Sequence, residues 1–400
     1  MARLADRISR LKDSSTLAVT AKAKALKAAG ADVISFGAGE PDFATPAHIV
    51  EAACKALREG KTRYENTAGT PEARKAVAQY FQDRFQRQIG PENVIISTGA
   101  KQALYLAFLT LMNPGQELLL PAPYWVTYPA QATMAGGKIK VIETDVANDF
   151  KVTPELLEAA ITPESRLFLF CSPSNPAGIS YTAQETKALA EVIARHPQLY
   201  VISDEIYERL RYTDEPYLSF AQAHPEIADR VVTINGLSKA YAMTGWRIGY
   251  AVAAPDIIKA MTKLQGHMSS SITSFNMPAV VAALEGPQEP VEKMVAEFAK
   301  RAEYIYKRLT AIPNLRCPRP TGAFYAFPDV SAYFGLVDPQ GQAIDSAASL
   351  ASGLLEAEKV AIVAGEDFGA PNHVRLSFAT SMELIERGLD RFSNYLASLR

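Results

Sequence analysis

One lysine and one arginine, eight residues apart, offer the most reactive chemistry in the chain. Lys239 follows the apolar run 231–234 after a short turn, and Arg247 directly precedes a second apolar run, 248–252. A lysine held between two buried strands is poorly solvated, and desolvation lowers its pKa towards the range in which the amine is a nucleophile. Such an amine forms Schiff bases with carbonyl compounds. The arginine can anchor an anionic group on the same compound.

Four further apolar runs end in residues that could bind a ligand. After the runs 94–97, 117–121, 166–171 and 199–203 come, respectively, Gly99-Ala100-Lys101, Trp125, Asn175 and Asp204. Small residues at a helix start let backbone N–H groups approach an anion, and an aromatic side chain can present a flat face to a planar ring. An amide can donate to a ligand oxygen, whereas a carboxylate after an apolar strand needs a cationic partner. Each feature alone has an ordinary structural explanation, but together they supply the parts that hold pyridoxal phosphate.

The apolar runs also predict the fold that brings these residues together. Seven candidate strands occupy residues 94–97, 117–121, 138–143, 166–171, 199–203, 231–234 and 248–252. Helical patterns lie between several of them, notably at 101–112 and 183–195. Continuous apolar strands that alternate with helices predict an α/β fold, with a mostly parallel seven-stranded sheet sandwiched by helices. In such sheets ligands bind beyond the carboxyl ends of the strands.

The C-terminal part of the chain predicts a smaller α+β domain. Helical patterns at 290–309 and 346–358 bracket the aromatic run 321–327, and residues 373–379 alternate as a strand does. Because 400 residues exceed one comfortable core, two domains are expected. We predict that residues 1–46 form an N-terminal arm and part of the small domain, that 47–288 form the large cofactor-binding domain, and that 289–400 complete the small domain.

Composition narrows the classes of partner. The 41 lysines and arginines nearly balance the 43 aspartates and glutamates, so the chain has no electrostatic footprint for nucleic acid or an anionic membrane. Three scattered cysteines argue against a disulfide framework, and five dispersed histidines form no readable metal site. No apolar segment has the length of a membrane helix. We therefore expect a cytoplasmic protein with small-molecule substrates and no metal.

The motifs together resemble those of a known family. The chain is similar to the fold-type-I pyridoxal-phosphate enzymes, and within them to the class I aminotransferases of the bacterial aspartate aminotransferase branch. The resemblance extends from about Arg10 to the C-terminus and follows the family's order of motifs: G-A-G-E-P-D-F, Y-E-N-T-A-G-T, A-P-Y-W, S-N-P-A-G, S-D-E-I-Y, S-K-A-Y-A-M-T-G-W-R-I-G and V-R-L-S-F-A.

The resemblance implies a role for each residue around the cofactor. Lys239 would hold pyridoxal 5′-phosphate as a Schiff base and move the substrate Cα proton. Asp204 would pair with the ring nitrogen, and Tyr207 and Asn175 would hydrogen-bond the ring 3′-oxygen, while Trp125 would stack on the ring. Lys239, Asp204 and Tyr207 are thus the expected catalytic residues. The expected phosphate ligands are Gly99, Ala100, Lys101 and Arg247, with Tyr64 contributed by a second subunit of a homodimer with shared active sites.

The resemblance also implies the substrates. Arg375 would bind the substrate α-carboxylate. Lys101 would bind a distal carboxylate, together with Lys12 and Thr16 of the N-terminal segment. Further substrate contacts are expected from Gly39, Trp125 and Asn175. The implied reaction moves the amino group of L-aspartate or L-glutamate to a 2-oxo acid such as 2-oxoglutarate, and prephenate stays open as a substrate. An aromatic aminotransferase or a β-elimination lyase would use the same cofactor contacts and is the alternative.

Two positions depart from the pattern of many relatives. Gly236 stands where many have a serine that touches the phosphate, and Ala177 stands where a threonine is usual. The first departure removes one hydroxyl contact, which Ser238 cannot be assumed to replace. Neither position belongs to the proton-transfer machinery.

Overall fold

The computed structural model describes residues 5–11 and 15–400 of the chain. The strands in these residues are, in chain order, β1 (Ile34–Ser35), β2 (Val94–Thr98), β3 (Glu117–Pro121), β4 (Lys138–Ile142), β5 (Ser165–Cys171), β6 (Tyr200–Asp204), β7 (Val231–Gly236), β8 (Ile248–Val252), β9 (Tyr325–Ala326), β10 (Val360–Ala361), β11 (Val363–Ala364) and β12 (Val374–Ser377). The α-helices are α1 (Asp6–Ser9), α2 (Ser15–Ala28), α3 (Ala47–Arg58), α4 (Pro71–Phe85), α5 (Ala100–Leu111), α6 (Thr127–Met134), α7 (Pro154–Ala160), α8 (Ala183–Arg195), α9 (Pro255–Met268), α10 (Met277–Glu285), α11 (Glu289–Thr310), α12 (Ala347–Glu358) and α13 (Met382–Ser398).

A seven-stranded sheet organises the larger part of the molecule. Its strand order is β2-β8-β7-β6-β5-β3-β4, and within it β8 alone runs opposite to the other six strands. All seven predicted strands are present, with ends that differ from the prediction by at most two residues. The predicted α/β class, with a mostly parallel sheet, is confirmed.

Helices cover both faces of this sheet because its strands are apolar on both sides. In β3, Leu118 and Leu120 pack in one core cluster with α5 and α9, whereas Leu119 packs in another with α7 and α8. This alternation follows from the two-residue period of a strand. The helices begin at residues suited to the position: Thr182, for example, caps α8 and forms a capping box with Glu185.

The sheet topology decides where the chemistry lies. The carboxyl ends of β3, β5, β6 and β7 meet at one edge because these strands are parallel. Since β8 is antiparallel to both β7 and β2, the carboxyl end of β2 and the amino end of β8 lie at that same edge. Arg247, which directly precedes β8, therefore reaches the ends of the parallel strands.

The smaller α+β part joins the two ends of the chain. Strand β1 pairs in parallel with β10, and a separate antiparallel sheet has the order β11-β12-β9. Helices α11 and α13 pack beside them in one core that includes Phe36, Phe298 and Phe392. The two-residue strands β1 and β10 were not predicted, and the proposed domain limits at residues 46 and 288 stay a prediction. In the described residues no helix has both the length and the apolar character needed to cross a membrane. The cytoplasmic location also stays a prediction.

Candidate active site

A cavity of about 370 Å³ opens at the carboxyl edge of the large sheet. Ten of the predicted site residues line it: Gly39, Ala100, Lys101, Trp125, Asn175, Asp204, Tyr207, Lys239, Arg247 and Arg375. Four of the lining residues are basic and two, Glu40 and Asp204, are acidic. This excess of positive charge suits a ligand that carries more than one anionic group.

Lys239 lies inside this cavity, three residues beyond the end of β7. Its Nζ atom donates a hydrogen bond to the carbonyl oxygen of Gly39. Burial lowers the pKa of the Lys239 amine from 10.5 to about 8, and the neighbouring Arg375 and Arg247 act in the same direction, whereas Glu40 opposes them. The neutral amine, which can act as a nucleophile or a base, is therefore far more abundant near neutral pH than it is for an ordinary lysine.

Asp204, the last residue of β6, is a buried carboxylate with neutral hydrogen-bond partners. Its Oδ2 atom accepts from the Tyr128 hydroxyl at 2.7 Å, and its Oδ1 atom accepts from the Ile206 backbone N–H at 3.3 Å. Burial raises the pKa of the Asp204 carboxyl from 3.8 to about 6. A buried carboxylate in this setting gains from a cationic partner, and its position at the cavity wall directs it towards a cationic nitrogen of a ligand.

The start of α5 forms an anion cradle at one end of the cavity. Gly99, which precedes α5, has φ of 75°, a conformation that favours glycine. The first N–H groups of α5, at Ala100 and Lys101, have no intrahelical acceptors because they lie at the start of the helix. A side chain at Gly99 would collide with the guanidinium of Arg247, and one at Gly249 would collide with the backbone of residues 99–100. These two glycines therefore bring the guanidinium and the free N–H groups close enough to share one anion.

Arg375 forms a second anion site, deeper in the cavity. The side chain is only 1% exposed, and its guanidinium donates to Asn175 Oδ1 at 2.9 Å and to the Gly37 carbonyl at 3.1 Å. Of the five N–H groups of a guanidinium, these bonds leave one on each terminal nitrogen, as well as the Nε–H, which is buried without a partner. Such a fork matches the geometry of a carboxylate.

The remaining predicted side chains complete the walls. Trp125 lies beneath the Lys101 amine, which is 4.8 Å from the ring centre, and it packs edge-on against Tyr128. Since the Asn175 side-chain oxygen is taken by Arg375, the Asn175 amide nitrogen is the group left to donate to a ligand. The Tyr207 hydroxyl is 2.9 Å from the hydroxyl of Tyr325.

The structure does not bring every predicted residue into the cavity. Gly99 is not part of the wall itself and acts through its contact with Arg247. Tyr64 is 91% exposed and lines a different surface pocket, next to residues 269–275. Lys12 lies outside the described residues, and Thr16 belongs to α2 but its side chain lies outside the described part. Their roles stay predictions.

Several cavity residues were missed from the sequence. Tyr128 contacts Asp204, Tyr325 contacts Tyr207, and the Glu40 carboxylate accepts from the Thr244 hydroxyl at 2.8 Å. The available signals were weak: Tyr128 follows Trp125 by three residues, and Tyr325 belongs to the aromatic run 321–327. Buried tyrosines in such runs resemble ordinary core residues.

The glycine at position 236 has a structural reason. A side chain there would collide with the backbone of Ile248 and Gly249, because β7 and β8 lie close together at that point. A serine would require the two strands to shift. Ser238 does line the cavity.

The donor set as a whole fits one kind of ligand. The cradle at α5, the flat face of Trp125, the carboxylate of Asp204 and the amine of Lys239 suit a planar, phosphorylated ring that carries a basic nitrogen and a carbonyl. The deeper Arg375 fork suits the carboxylate of a second molecule. In the described residues no group of histidine, cysteine and acidic side chains could hold a metal ion.

Comparisons with known sequences agree with this geometry. Residues 31–392 match the family model for class I and II aminotransferases. A curated aspartate aminotransferase of Geobacillus stearothermophilus is 46% identical over 98% of this chain and 99% of its own length. An aspartate/prephenate aminotransferase of Cereibacter sphaeroides is 43% identical, with 100% of both chains covered.

Solved structures show the same fold over the whole length. The aspartate aminotransferase from Rhizobium meliloti superimposes with a TM-score of 0.96 at 39% identity and covers 100% of both chains. The Thermus thermophilus aspartate aminotransferase with maleate has a TM-score of 0.92 at 39% identity and covers 99% of this chain and 100% of its own. With its sequence matched almost from end to end and its cavity built as described, the chain belongs to the family of class I and II aminotransferases.

Proposed function

We propose that this aminotransferase moves the amino group of L-aspartate or L-glutamate to a 2-oxo acid such as 2-oxoglutarate, with pyridoxal 5′-phosphate as its cofactor. The observation that carries the proposal is the position of the Lys239 amine in one cavity with two separate anion sites, at Arg247 and at Arg375. One site suits the phosphate of the cofactor and the other the α-carboxylate of the substrate.

The residues present fit this cofactor. Asp204 offers a buried carboxylate for the ring nitrogen, and the close approach of the Arg247 guanidinium to Gly99 places a cation beside the start of α5, where a phosphate could bind. Lys239 would hold the aldehyde carbon. When bound, pyridoxal phosphate supplies an electrophilic carbon that exchanges amino groups and a protonated ring that withdraws electrons.

The chain's own residues then perform the positioning and the proton transfer. Arg375 binds the substrate α-carboxylate and thereby sets the Cα atom beside Lys239. The Lys239 amine, with its pKa lowered by burial to about 8, takes the proton from Cα. The Gly39 carbonyl, which accepts a hydrogen bond from Nζ, retains the protonated amine at that place. Asp204 keeps a proton on the ring nitrogen.

A dicarboxylic substrate is supported by the charge of the cavity. In addition to Arg247 and Arg375, the cavity contains a third cation, Lys101, whose amine lies above the Trp125 ring. A distal carboxylate could bind at this amine. Thr20 of α2 also lines the cavity, so the N-terminal helix reaches the region where Lys12 and Thr16 are proposed to act. The Thermus relative has a solved structure with maleate, which is a dicarboxylate. Prephenate is the second candidate substrate, because a relative 43% identical is an aspartate/prephenate aminotransferase.

The proposal includes a homodimer in which Tyr64 serves the partner's site. Tyr64 is 91% exposed, and Met268, which directly precedes residues 269–275 of the same surface pocket, is 47% exposed. Exposed apolar groups of this size suit a protein interface. Co-expressed Lys239→Ala and Tyr64→Ala chains test this proposal, since a mixed dimer with shared sites has one site free of both substitutions. Activity above that of either parent supports sharing, and a monomer by light scattering contradicts it.

The absorption spectrum of the purified protein tests the cofactor and the substrate together. The protein with pyridoxal phosphate should be yellow, and L-aspartate added without an acceptor should replace the visible band by the near-ultraviolet band of the aminated cofactor. If the yellow band is unchanged, aromatic amino acids become the candidate substrates in place of L-aspartate. Release of pyruvate or ammonia from a single amino acid would indicate a β-elimination lyase. A colourless protein would contradict the proposed role of Lys239.

Replacement of the lysine tests its role directly. Lys239→Ala should lower kcat by at least about a thousandfold, because a positioned general base typically supplies a factor of 10² to 10⁴ and the attachment point is lost as well. Lys259→Ala, at an exposed position of α9, is the matched control. Turnover by the Lys239 variant at the control's rate would remove this lysine from the mechanism.

A further inference from the structure

We propose that Tyr325 is a positioning residue that holds both the Tyr207 hydroxyl and the Arg375 guanidinium, and so couples the cofactor side of the cavity to its carboxylate side. The inference rests on the proposed cofactor and goes beyond it, because Tyr325 is assigned no contact with the cofactor itself. One buried side chain would thereby fix the positions of both the residue that binds the cofactor and the residue that binds the substrate carboxylate.

The register of the small antiparallel sheet places Tyr325 beside Arg375. Tyr325 of β9 is paired with Ser377 of β12, and Arg375 lies two residues before Ser377 on the same face. The two side chains are therefore diagonal neighbours, which long and aromatic side chains can bridge. The centre of the Tyr325 ring is 4.6 Å from the guanidinium carbon.

The guanidinium also contacts a second ring. Phe368 lies on it as well, with its ring centre 5.1 Å from the guanidinium carbon. Tyr325 and Phe368 are both fully or almost fully buried, at 1% and 0% exposure. Ring contacts restrain the plane of the guanidinium, whereas the bonds to Asn175 and Gly37 fix its rotation within that plane. The direction of the carboxylate fork thus depends on the ring of Tyr325.

The hydroxyl of Tyr325 has a different partner. It lies 2.9 Å from the Tyr207 hydroxyl, and burial raises the pKa of both phenols, so both keep their protons at neutral pH. Each hydroxyl has one proton to donate. If Tyr207 points its proton to an oxygen of the cofactor ring, its own oxygen must accept the proton of Tyr325. The hydroxyl of Tyr325 therefore orients Tyr207 and makes it a better donor.

The two functions can be separated by two substitutions. Tyr325→Phe keeps the ring beneath Arg375 and removes only the hydroxyl. We expect the dissociation constant of pyridoxal phosphate, titrated into cofactor-free protein, to rise about three- to tenfold, as for loss of one hydrogen bond. The pH midpoint of the cofactor's visible absorption band should move to higher pH. The dissociation constant of maleate for the loaded enzyme should stay within about twofold. Tyr325→Leu should weaken maleate binding as well, by about threefold or more.

A double-mutant cycle with Tyr207 distinguishes positioning from general stability. If the hydroxyl of Tyr325 acts through Tyr207, Tyr325→Phe should have no effect on cofactor binding in a Tyr207→Phe background. The matched control is Tyr333→Phe, which removes another buried hydroxyl, bonded to the Pro313 carbonyl, at a position that does not line the cavity. The control should bind both ligands as the unsubstituted protein does.

The outcomes that would overturn the inference are distinct from those that would overturn the function. A Tyr325→Phe effect that persists at full size without the Tyr207 hydroxyl, or that matches the Tyr333→Phe control, contradicts the positioning of Tyr207. Unchanged maleate binding in folded Tyr325→Leu, with folding checked by circular dichroism, contradicts the role of the ring. If the unsubstituted protein binds no pyridoxal phosphate in the same titration, the proposed function fails and the inference fails with it.

Discussion

The two anion sites of the cavity are built in opposite ways. At the α5 site, Arg247 is exposed and works with backbone N–H groups, and its neighbours come from two short segments, residues 97–101 and 244–249. At the deeper site, Arg375 is 1% exposed and its hydrogen-bond partners are 200 and 338 residues away along the chain. Because the backbone cradle at α5 stays in contact with solvent, the desolvation free energy of forming it is small. A buried guanidinium is costly unless its donors are paired, so the deeper site should depend more strongly on each contact.

The largest effect is expected from breaking the buried site. Arg375→Ala should lower kcat/KM for every amino acid by about 10²- to 10³-fold, since truncation of one partner of a buried charge pair costs several kcal/mol. Arg375→Lys should recover little of this loss, because lysine lacks the planar fork. Steady-state kinetics with aspartate and glutamate measures the effect, while the affinity for pyridoxal phosphate should stay within about threefold.

The control for this prediction is Arg387→Ala, which removes a half-exposed arginine that is paired with Asp32. A loss of kcat/KM in that variant comparable with the loss in Arg375→Ala would contradict the special dependence of activity on the buried Arg375 site. So would an unchanged KM in Arg375→Ala.

A smaller effect is expected at the α5 cradle. Gly99→Ala places a side chain at φ of 75° and against the Arg247 guanidinium, so the affinity for pyridoxal phosphate should fall about tenfold. Maleate binding to the loaded enzyme should change little, because the Arg375 fork is untouched. Gly115→Ala is the matched control: its φ is 86°, but open space surrounds the added methyl group. If both variants lose cofactor affinity equally, backbone strain rather than the cradle is responsible.

A further effect, on stability rather than on binding or turnover, is expected at Asp204. Burial raises the pKa of this carboxyl to about 6 from 3.8, so the folded protein binds the proton more tightly than the unfolded chain does. The stability that this proton contributes is fully present below pH 3.8 and is lost as the pH rises to about 6. Asp204→Asn, which is neutral at all pH values, avoids that loss.

Urea unfolding of the cofactor-free protein measures the difference. At pH 7.5 Asp204→Asn should be more stable than the unsubstituted protein by about 1 to 3 kcal/mol, and near pH 4 the two should be alike. Saturation with pyridoxal phosphate should reverse the order, because the variant has lost the anionic partner of the ring nitrogen. The exposed Asp214→Asn should show neither effect. An equal stability of Asp204→Asn and the unsubstituted protein at pH 7.5 would contradict the burial cost.

The limits of prediction follow the same division between local and distant contacts. The seven strands and the longer helices were predictable because each has enough residues to show a period of two or 3.6. The paired strands β1 and β10 have two residues each and show no period. Tyr128 and Tyr325 were missed because nothing in their local sequence distinguishes a hydroxyl that faces a ligand site from one in the core. The role of Tyr64 depends on a second chain and stays a prediction.

The sequence by itself determined the sheet, the order of the site residues along it and the reactive lysine, because apolar periodicity and the residues after each strand are local properties. The tertiary structure decided the electrostatics. It buried Asp204 beside Tyr128, lowered the pKa of Lys239, and closed Gly37, Asn175 and Tyr325 around Arg375. These properties depend on desolvation and on contacts between residues that are distant in the sequence, such as the 76 positions between Tyr128 and Asp204 and the 338 between Gly37 and Arg375, and only tertiary packing brings such residues together.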